Sequence, residues 1–260
     1  LYPALQSLGL RTASVPRLPD GPCPDALARM VRQHQPRLFI TTSILHNPTG
    51  SCATTRNMHA VLDIATRHDL TVIEDDIFLD LAPEGQQTLS QLGGLNRVVH
   101  IGSFSKTIGP GLRVGYVACA TDTAQRILRQ KMASNLTTAP LNEEIVHTIV
   151  SSGLYRPHLA HLREHLTRVQ ARVCTRLEQV GMDVHFQPPG GMFAWARFRQ
   201  DMDVRALAER ACQHDIMLAP GHLFRPGGQP SQWFRFNVAH CEDERLFAFI
   251  KSMACGKAMD

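Results

Sequence analysis

Ser103-Phe104-Ser105-Lys106-Thr107-Ile108-Gly109-Pro110-Gly111-Leu112-Arg113 sets one lysine among hydroxyl side chains, with two glycines and an arginine closing the stretch. A lysine placed this way is suited to condense its amine with a carbonyl, because neighbouring groups hold the rest of the ligand. Ser103, Ser105 and Arg113 are the donors that a phosphate dianion requires, and the planar guanidinium matches phosphate geometry better than a point charge does. The stretch therefore reads as a covalent anchor for an aldehyde beside an anion cradle. A loop lysine is by default a solvated surface charge, which is the reading given to Lys131, Lys251 and Lys257. The cradle is what separates Lys106 from them.

Two upstream segments stand at matching places, His46-Asn47-Pro48-Thr49-Gly50 and Glu74-Asp75-Asp76-Ile77-Phe78. Each of the three segments follows a short apolar, β-rich run: Leu38-Phe39-Ile40, residues 71–73 and residues 98–101. Helical spacing fills the intervals, with Leu27, Met30 and Val31 predicting a helix that ends near His34, and Met58, Val61, Leu62 and Ala65 predicting a second. Such alternation predicts an α/β fold, a mostly parallel sheet with helices on both faces. Ligands of open sheets collect beyond the carboxyl ends of the strands, and Asn47, Asp75 and Lys106 each follow a strand at that end.

Together the three segments resemble the fold-type I aminotransferases dependent on pyridoxal phosphate, a cofactor that carries an aldehyde and a phosphate in one molecule. The resemblance implies that Asn47 hydrogen-bonds the cofactor's phenolic oxygen, that Asp75 pairs with the pyridinium nitrogen and that Lys106 forms the internal aldimine. Ser103, Ser105 and Arg113 then hold the phosphate. Trp233-Phe234-Arg235-Phe236-Asn237 is similar to the family's late strand, whose arginine receives the substrate carboxylate, here Arg235. One departure is Phe78, where many relatives carry a tyrosine that donates to the phenolic oxygen. A missing donor to that oxygen implies a higher pKa for the internal aldimine than in a tyrosine-bearing relative.

Within the family, Thr138-Ala139-Pro140-Leu141-Asn142-Glu143 and Leu218-Ala219-Pro220-Gly221-His222-Leu223-Phe224 look like the MocR group, in which an aminotransferase-like domain follows a winged helix-turn-helix of GntR type. The resemblance implies that such a module and the first part of the aminotransferase fold lie before Leu1, that the partners are an amino acid and a 2-oxo acid, and that the site sits in a homodimer. DNA binding would belong to the absent module. Two activities stay open on these residues: amino-group transfer, or effector sensing by a transcription regulator.

Beyond Pro140 the pattern turns helical. Leu159, Leu162, Leu166, Val169, Val173, Leu177 and Val180 recur in steps of three and four, with Pro157 suited to the first turn of that long helix. Strands are expected at 183–198 and 232–239, with helices at 204–214 and 243–254. This divides the chain into a large cofactor-binding domain over 1–150 and a small α+β domain over 151–260. Strand alternation puts Phe234, Phe236 and Val238 on one face and Trp233, Arg235 and Asn237 on the other, which suits either a pocket or bulk water for the guanidinium. Gly190-Gly191-Met192-Phe193-Ala194-Trp195 reads as a close-packed strand near the site, since no helix start follows it as a phosphate loop would require. His158, His161 and His165 share a helix flank, but with no Asp, Glu or Cys at ligand spacing they read as a polar edge and no metal is expected.

The composition sets outer bounds. With 260 residues, 43% hydrophobic and 19% charged, the chain is long and apolar enough for one large core or two smaller ones. Seven cysteines without a C-x-x-C pair argue against a disulfide framework or a zinc ribbon and suit a reducing cytoplasm. No apolar run reaches the roughly 20 residues of a membrane span. The net charge of +4 is dispersed, leaving no basic block for nucleic acid.

Overall fold

The computed structural model describes residues 2–255. A short helix, α1 (Tyr2–Ser7), leads to a two-stranded antiparallel ribbon of β1 (Arg17–Leu18) and β2 (Gly21–Pro22). Three βα steps follow: α2 (Pro24–His34), β3 (Leu38–Thr41), α3 (Thr55–Arg67), β4 (Thr71–Asp75), α4 (Leu89–Gly93) and β5 (Val98–Ser103). Then come β6 (Gly115–Ala118), α5 (Thr121–Ser134), α6 (Pro140–Ser151) and the long α7 (Tyr155–Gln179). The rest is β7 (Met182–Val184), β8 (Phe193–Phe198), α8 (Val204–Gln213), β9 (Ala219–Pro220), β10 (Trp233–Asn237) and α9 (Glu244–Ala254).

Local chemistry explains the helix ends. Pro24 opens α2 in its first turn and Gln35 closes it in the left-handed region, at φ 43°. Thr54 caps α3 by accepting from the Asn57 N–H, and Thr88 with Gln91 forms a reciprocal capping box on α4.

The described chain divides into two compact units: residues 15–46 with 51–165, and residues 1–14, 47–50 and 166–260. The dividing point at 165 falls inside the continuous helix α7, where the heptad-like apolar spacing gives no break to read. In the first unit the sheet order is β3-β4-β5-β6, with β3, β4 and β5 parallel and β6 antiparallel to β5. That is an α/β unit whose sheet is mostly parallel, as the alternation predicts. In the second, β7-β8-β10-β9 is antiparallel throughout. Its core is formed by Leu177, Met182, Phe234, Phe249 and Ile250, each fully buried.

The strand ends of the first unit are tied by acids turned inward. Alternation along β4 buries Glu74, and Asp76 beyond its end, while Asp75 faces the other way. Glu74 Oε1 accepts from Ser43 Oγ and the Leu89 N–H, both at 2.5 Å, and Oε2 from the Ser90 N–H at 2.9 Å and His100 Nδ1 at 3.2 Å. Asp76 Oδ1 accepts the N–H groups of Ser43 at 3.0 Å and Ile44 at 3.2 Å, and its Oδ2 is buried without a hydrogen-bond partner. Burial pushes the Glu74 carboxyl up, but the bonds from His100, Ser43, Ser90 and Leu89 prevail and hold it down to about 2. Asp76, by contrast, is pushed up to about 8 by burial first and by the adjacent Glu74 charge second.

Not every element finds cover. None of the 14 residues of α5 is buried, and Ile127, Leu128 and Met132 lie 39%, 54% and 58% exposed. On the edge strand β6, Tyr116 and Val117 are also exposed.

The Asp76 shift fixes a pH dependence. A neutral Asp76 in the folded protein and an ionised one in the unfolded chain make stability greatest below the ordinary value of 3.8, with loss as pH rises toward about 8. Asp76→Asn keeps the acceptor for Ser43 and Ile44 but cannot ionise. We expect the urea midpoint of the parent to fall between pH 5 and pH 8 by clearly more than that of the variant; equal slopes would remove this account.

Candidate active site

In the first unit the lysine segment begins where β5 ends. Phe104 O collects the N–H groups of Thr107, Ile108 and Gly109 at 3.3, 2.9 and 3.3 Å, so the chain turns tightly around Lys106. The Ser105 N–H donates to Ser103 Oγ at 3.1 Å. Arg113, held in the left-handed region at φ 54°, sends Nη1 to Pro110 O at 3.2 Å and lies 3.5 Å from Ser105 Oγ. Ser103, Ser105 and Arg113 are thus brought together, as the sequence suggested. The Lys106 ammonium stands 5.7 Å from the centre of the buried Phe78 ring.

Asp75 closes β4, which pairs with β5 in parallel so that Asp75 stands opposite Ile101, five residues before the lysine. Its carboxylate takes one backbone hydrogen bond, from Ile77, while Oδ1 is buried with no partner. Burial raises its pKa against that bond. An acceptor shut from water and left unsatisfied is costly unless a ligand donor completes it. A protonated ring nitrogen is such a donor. With the amine of Lys106 and the Ser103, Ser105 and Arg113 donors, these residues fit pyridoxal phosphate.

The second unit holds Asn47 and Arg235. Asn47 Oδ1 accepts from Arg235 Nη1 at 3.0 Å, which turns the amide NH2 end away from the guanidinium and leaves it oriented as a donor. Arg235 projects from β10 between the rings of Phe193, at 4.6 Å, and Phe224, at 4.8 Å. Its Nε is buried without a partner, as is Asn237 Oδ1 on the same face of the strand. Burial lowers the Arg235 pKa, and a carboxylate bound to its open edge would offset that cost. The guanidinium is thus half-buried beside two rings. The Asn47-Pro48 bond is cis, and Gly50 sits at φ 75°.

Several parts were not read from the sequence. The ring pair around Arg235 is one: Phe193 fell within the segment read as close-packed and Phe224 within a quoted motif, but nothing local signalled that they enclose one cation. His158 is another, since its Nε2 lies 2.7 Å from Thr107 O and so serves the lysine turn. Among the described residues the one grouping of potential metal ligands is Glu74, Asp76 and His100. The four donors on Glu74 already saturate its oxygens, so protein hydrogen bonds account for it.

A family model for aminotransferase class I and II matches residues 23–253. The chain belongs to that family. It is 27% identical over 263 residues to a 2-aminoadipate transaminase of Thermus thermophilus, covering 98% of this chain and 66% of that one. It is 29% identical over 240 residues to YjiR, an uncharacterized HTH-type transcriptional regulator of Escherichia coli, covering 90% of this chain and 51% of the regulator. Among solved structures, the alpha-aminoadipate aminotransferase LysN of Thermus thermophilus, complexed with N-(5'-phosphopyridoxyl)-L-leucine, superposes with a TM-score of 0.86 at 25% identity, over 95% of this chain and 65% of that one. The kynurenine aminotransferase of Pyrococcus horikoshii shares the fold with a TM-score of 0.88 at 21% identity, over 98% and 66% of the two chains. The aminotransferase family member described here thus spans between about half and two thirds of these relatives. No helix among its described residues is long and apolar enough to cross a membrane.

The turn that carries Asn47 can be tested without a ligand. A Cβ on Gly50 would meet Pro188 Cγ at 2.7 Å and Phe193 O at 3.0 Å, at a φ that L side chains rarely adopt. Gly50→Ala is expected to destabilise the protein by about 1–3 kcal/mol in urea unfolding; a variant as stable as the parent would show that this loop relaxes freely.

Proposed function

We propose that this chain binds pyridoxal phosphate through Lys106 and takes part in amino-group transfer between an amino acid and a 2-oxo acid. The observation that carries the reading is the buried, unpartnered Asp75 Oδ1 at the end of the strand beside the lysine turn. When bound, pyridoxal phosphate supplies an electron sink for the bond broken at the substrate Cα. Asp75 keeps a proton on the ring nitrogen by offering its lone acceptor. Ser103, Ser105 and Arg113 fix the phosphate and so the position of the aldehyde. Lys106 would hold that carbon covalently and, when its amine is free, would carry the proton taken from the substrate Cα. Arg235, beside the Phe193 and Phe224 rings, would take the substrate carboxylate, and Asn47 would donate to the phenolic oxygen. The unit over residues 15–46 and 51–165 is the cofactor-binding part in this reading. We take the active form to be a homodimer in the cytoplasm.

A second reading, effector sensing in a MocR-type regulator with little or no turnover, is favoured by the likeness to HTH-type regulators of which this chain spans about half. DNA contact would then lie in a module outside this chain.

Mixing the protein with pyridoxal phosphate is expected to produce a visible absorbance band that Lys106→Ala abolishes; an identical band in the variant would overturn the assignment. Adding amino acids then separates the readings. Conversion to pyridoxamine phosphate marks an enzyme, and a band that shifts without conversion marks a sensor.

Phe78 generates a further expectation. Its ring is 4% exposed, and by the family resemblance a tyrosine at this position would donate to the phenolic oxygen. Phe78→Tyr adds a donor worth about 0.5–1.5 kcal/mol, so the pH midpoint of the bound chromophore should fall by about half to one unit. An unchanged midpoint in a spectral titration would discard this role.

A further inference from the structure

The lysine turn is held from behind by α7. Tyr155 Oη lies 2.7 Å from Asp80 Oδ2 and 2.9 Å from Thr107 Oγ1. A carboxylate only accepts, so Tyr155 donates to Asp80, and the lone pair left on its oxygen receives the proton of Thr107. The direction of both bonds is therefore fixed. Burial first, with Asp80 adding, keeps the Tyr155 phenol well above its ordinary range, so the donor is always charged with its proton. One turn along the helix, His158 Nε2 donates to Thr107 O at 2.7 Å, the only role open to a nitrogen facing a carbonyl. Arg163 Nε, one turn further, donates to Asp80 O at 2.8 Å. The Tyr155 ring also meets Phe104 edge-on, with centroids 6.0 Å apart.

These contacts add to the β4–β5 pairing and to the approach of Lys106 to the Phe78 ring in joining two chain segments. Asp80 belongs to the short 3-10 turn Leu79–Leu81, which directly follows Phe78 and comes five residues after Asp75. Thr107, 5% exposed, follows Lys106. We propose that Tyr155 is a positioning residue that latches the lysine segment to the acid segment and so sets where the Lys106 amine stands relative to Asp75. The inference rests on the cofactor reading given above. Lys106 must serve as covalent anchor and, after release, as proton carrier, and a side chain that swings between two duties needs a backbone pivot that does not move. A displacement near 1 Å at such a pivot is enough to cost orders of magnitude in reactivity. Tyr155 touches no reacting atom; it acts through Thr107.

Pyridoxal phosphate is added to the parent, Tyr155→Phe, Thr107→Val, Thr107→Ser and Lys106→Ala, with the rise of the Lys106-dependent band followed in time and its pH midpoint titrated. Tyr155→Phe keeps the contact with Phe104 and loses both hydrogen bonds. The band should form about tenfold more slowly in Tyr155→Phe and Thr107→Val, with the midpoint displaced by about half a unit. Thr107→Ser, which restores the hydroxyl, should stay within about twofold of the parent. Parent-like rate and midpoint in both Tyr155→Phe and Thr107→Val overturn the latch, as does a Thr107→Ser variant as impaired as Thr107→Val. If Tyr155→Phe does not fold, the Thr107 pair alone decides. A parent protein with no Lys106-dependent band refutes the cofactor reading, and the latch falls with it.

Discussion

A single carboxylate organises the α/β unit. Glu74 is wholly buried at the end of a central strand, and it takes donors from the loop after β3, from the first turn of α4 and from β5. Four hydrogen bonds on one ion offset the cost of taking it out of water, and the same bonds register three elements against each other. Asp76 extends the tie to the backbone at Ser43 and Ile44. Because alternation turns Glu74 and Asp76 inward, Asp75 is turned outward with an unsatisfied oxygen. The acid left unsatisfied and the acids that hold the strands are thus consecutive residues on opposite sides of the strand.

The arginine of the other unit shows the same economy. Arg235 stands 4.6 and 4.8 Å from the centres of the Phe193 and Phe224 rings and donates to Asn47. A guanidinium held at several points in this way has given up rotamer freedom before any ligand arrives.

How much of this was legible in the sequence follows from chain distance. Ser103, Ser105, Lys106 and Arg113 lie within one turn-rich stretch, and their chemistry is readable because the ligand they suit needs all of them together. The place of Asp75 at a strand end is legible from the apolar run before it, and the side taken by Arg235 from period-two alternation. The burial of Glu74 was not legible, since an acid at a strand end looks the same whether it faces water or a helix N-terminus. Tyr155 and Asp80 are 75 positions apart, and no spacing rule connects them. Phe224 ends the short 3-10 turn Gly221–Phe224, which is too brief for periodicity to give a face. The division of units inside α7 was hidden for the opposite reason, because a regular pattern continues straight through it.

The uncovered α5 and β6 have a consequence for handling the molecule. An edge strand with unpaired backbone groups, next to a helix whose aliphatic side chains meet water, is an adhesive flank. Exposed apolar groups of this kind are the surfaces through which chains tend to associate as concentration rises. Charged replacements at Leu128 or Met132, which sit far out on that helix, alter colloidal behaviour while leaving the buried acids that build the sheet undisturbed.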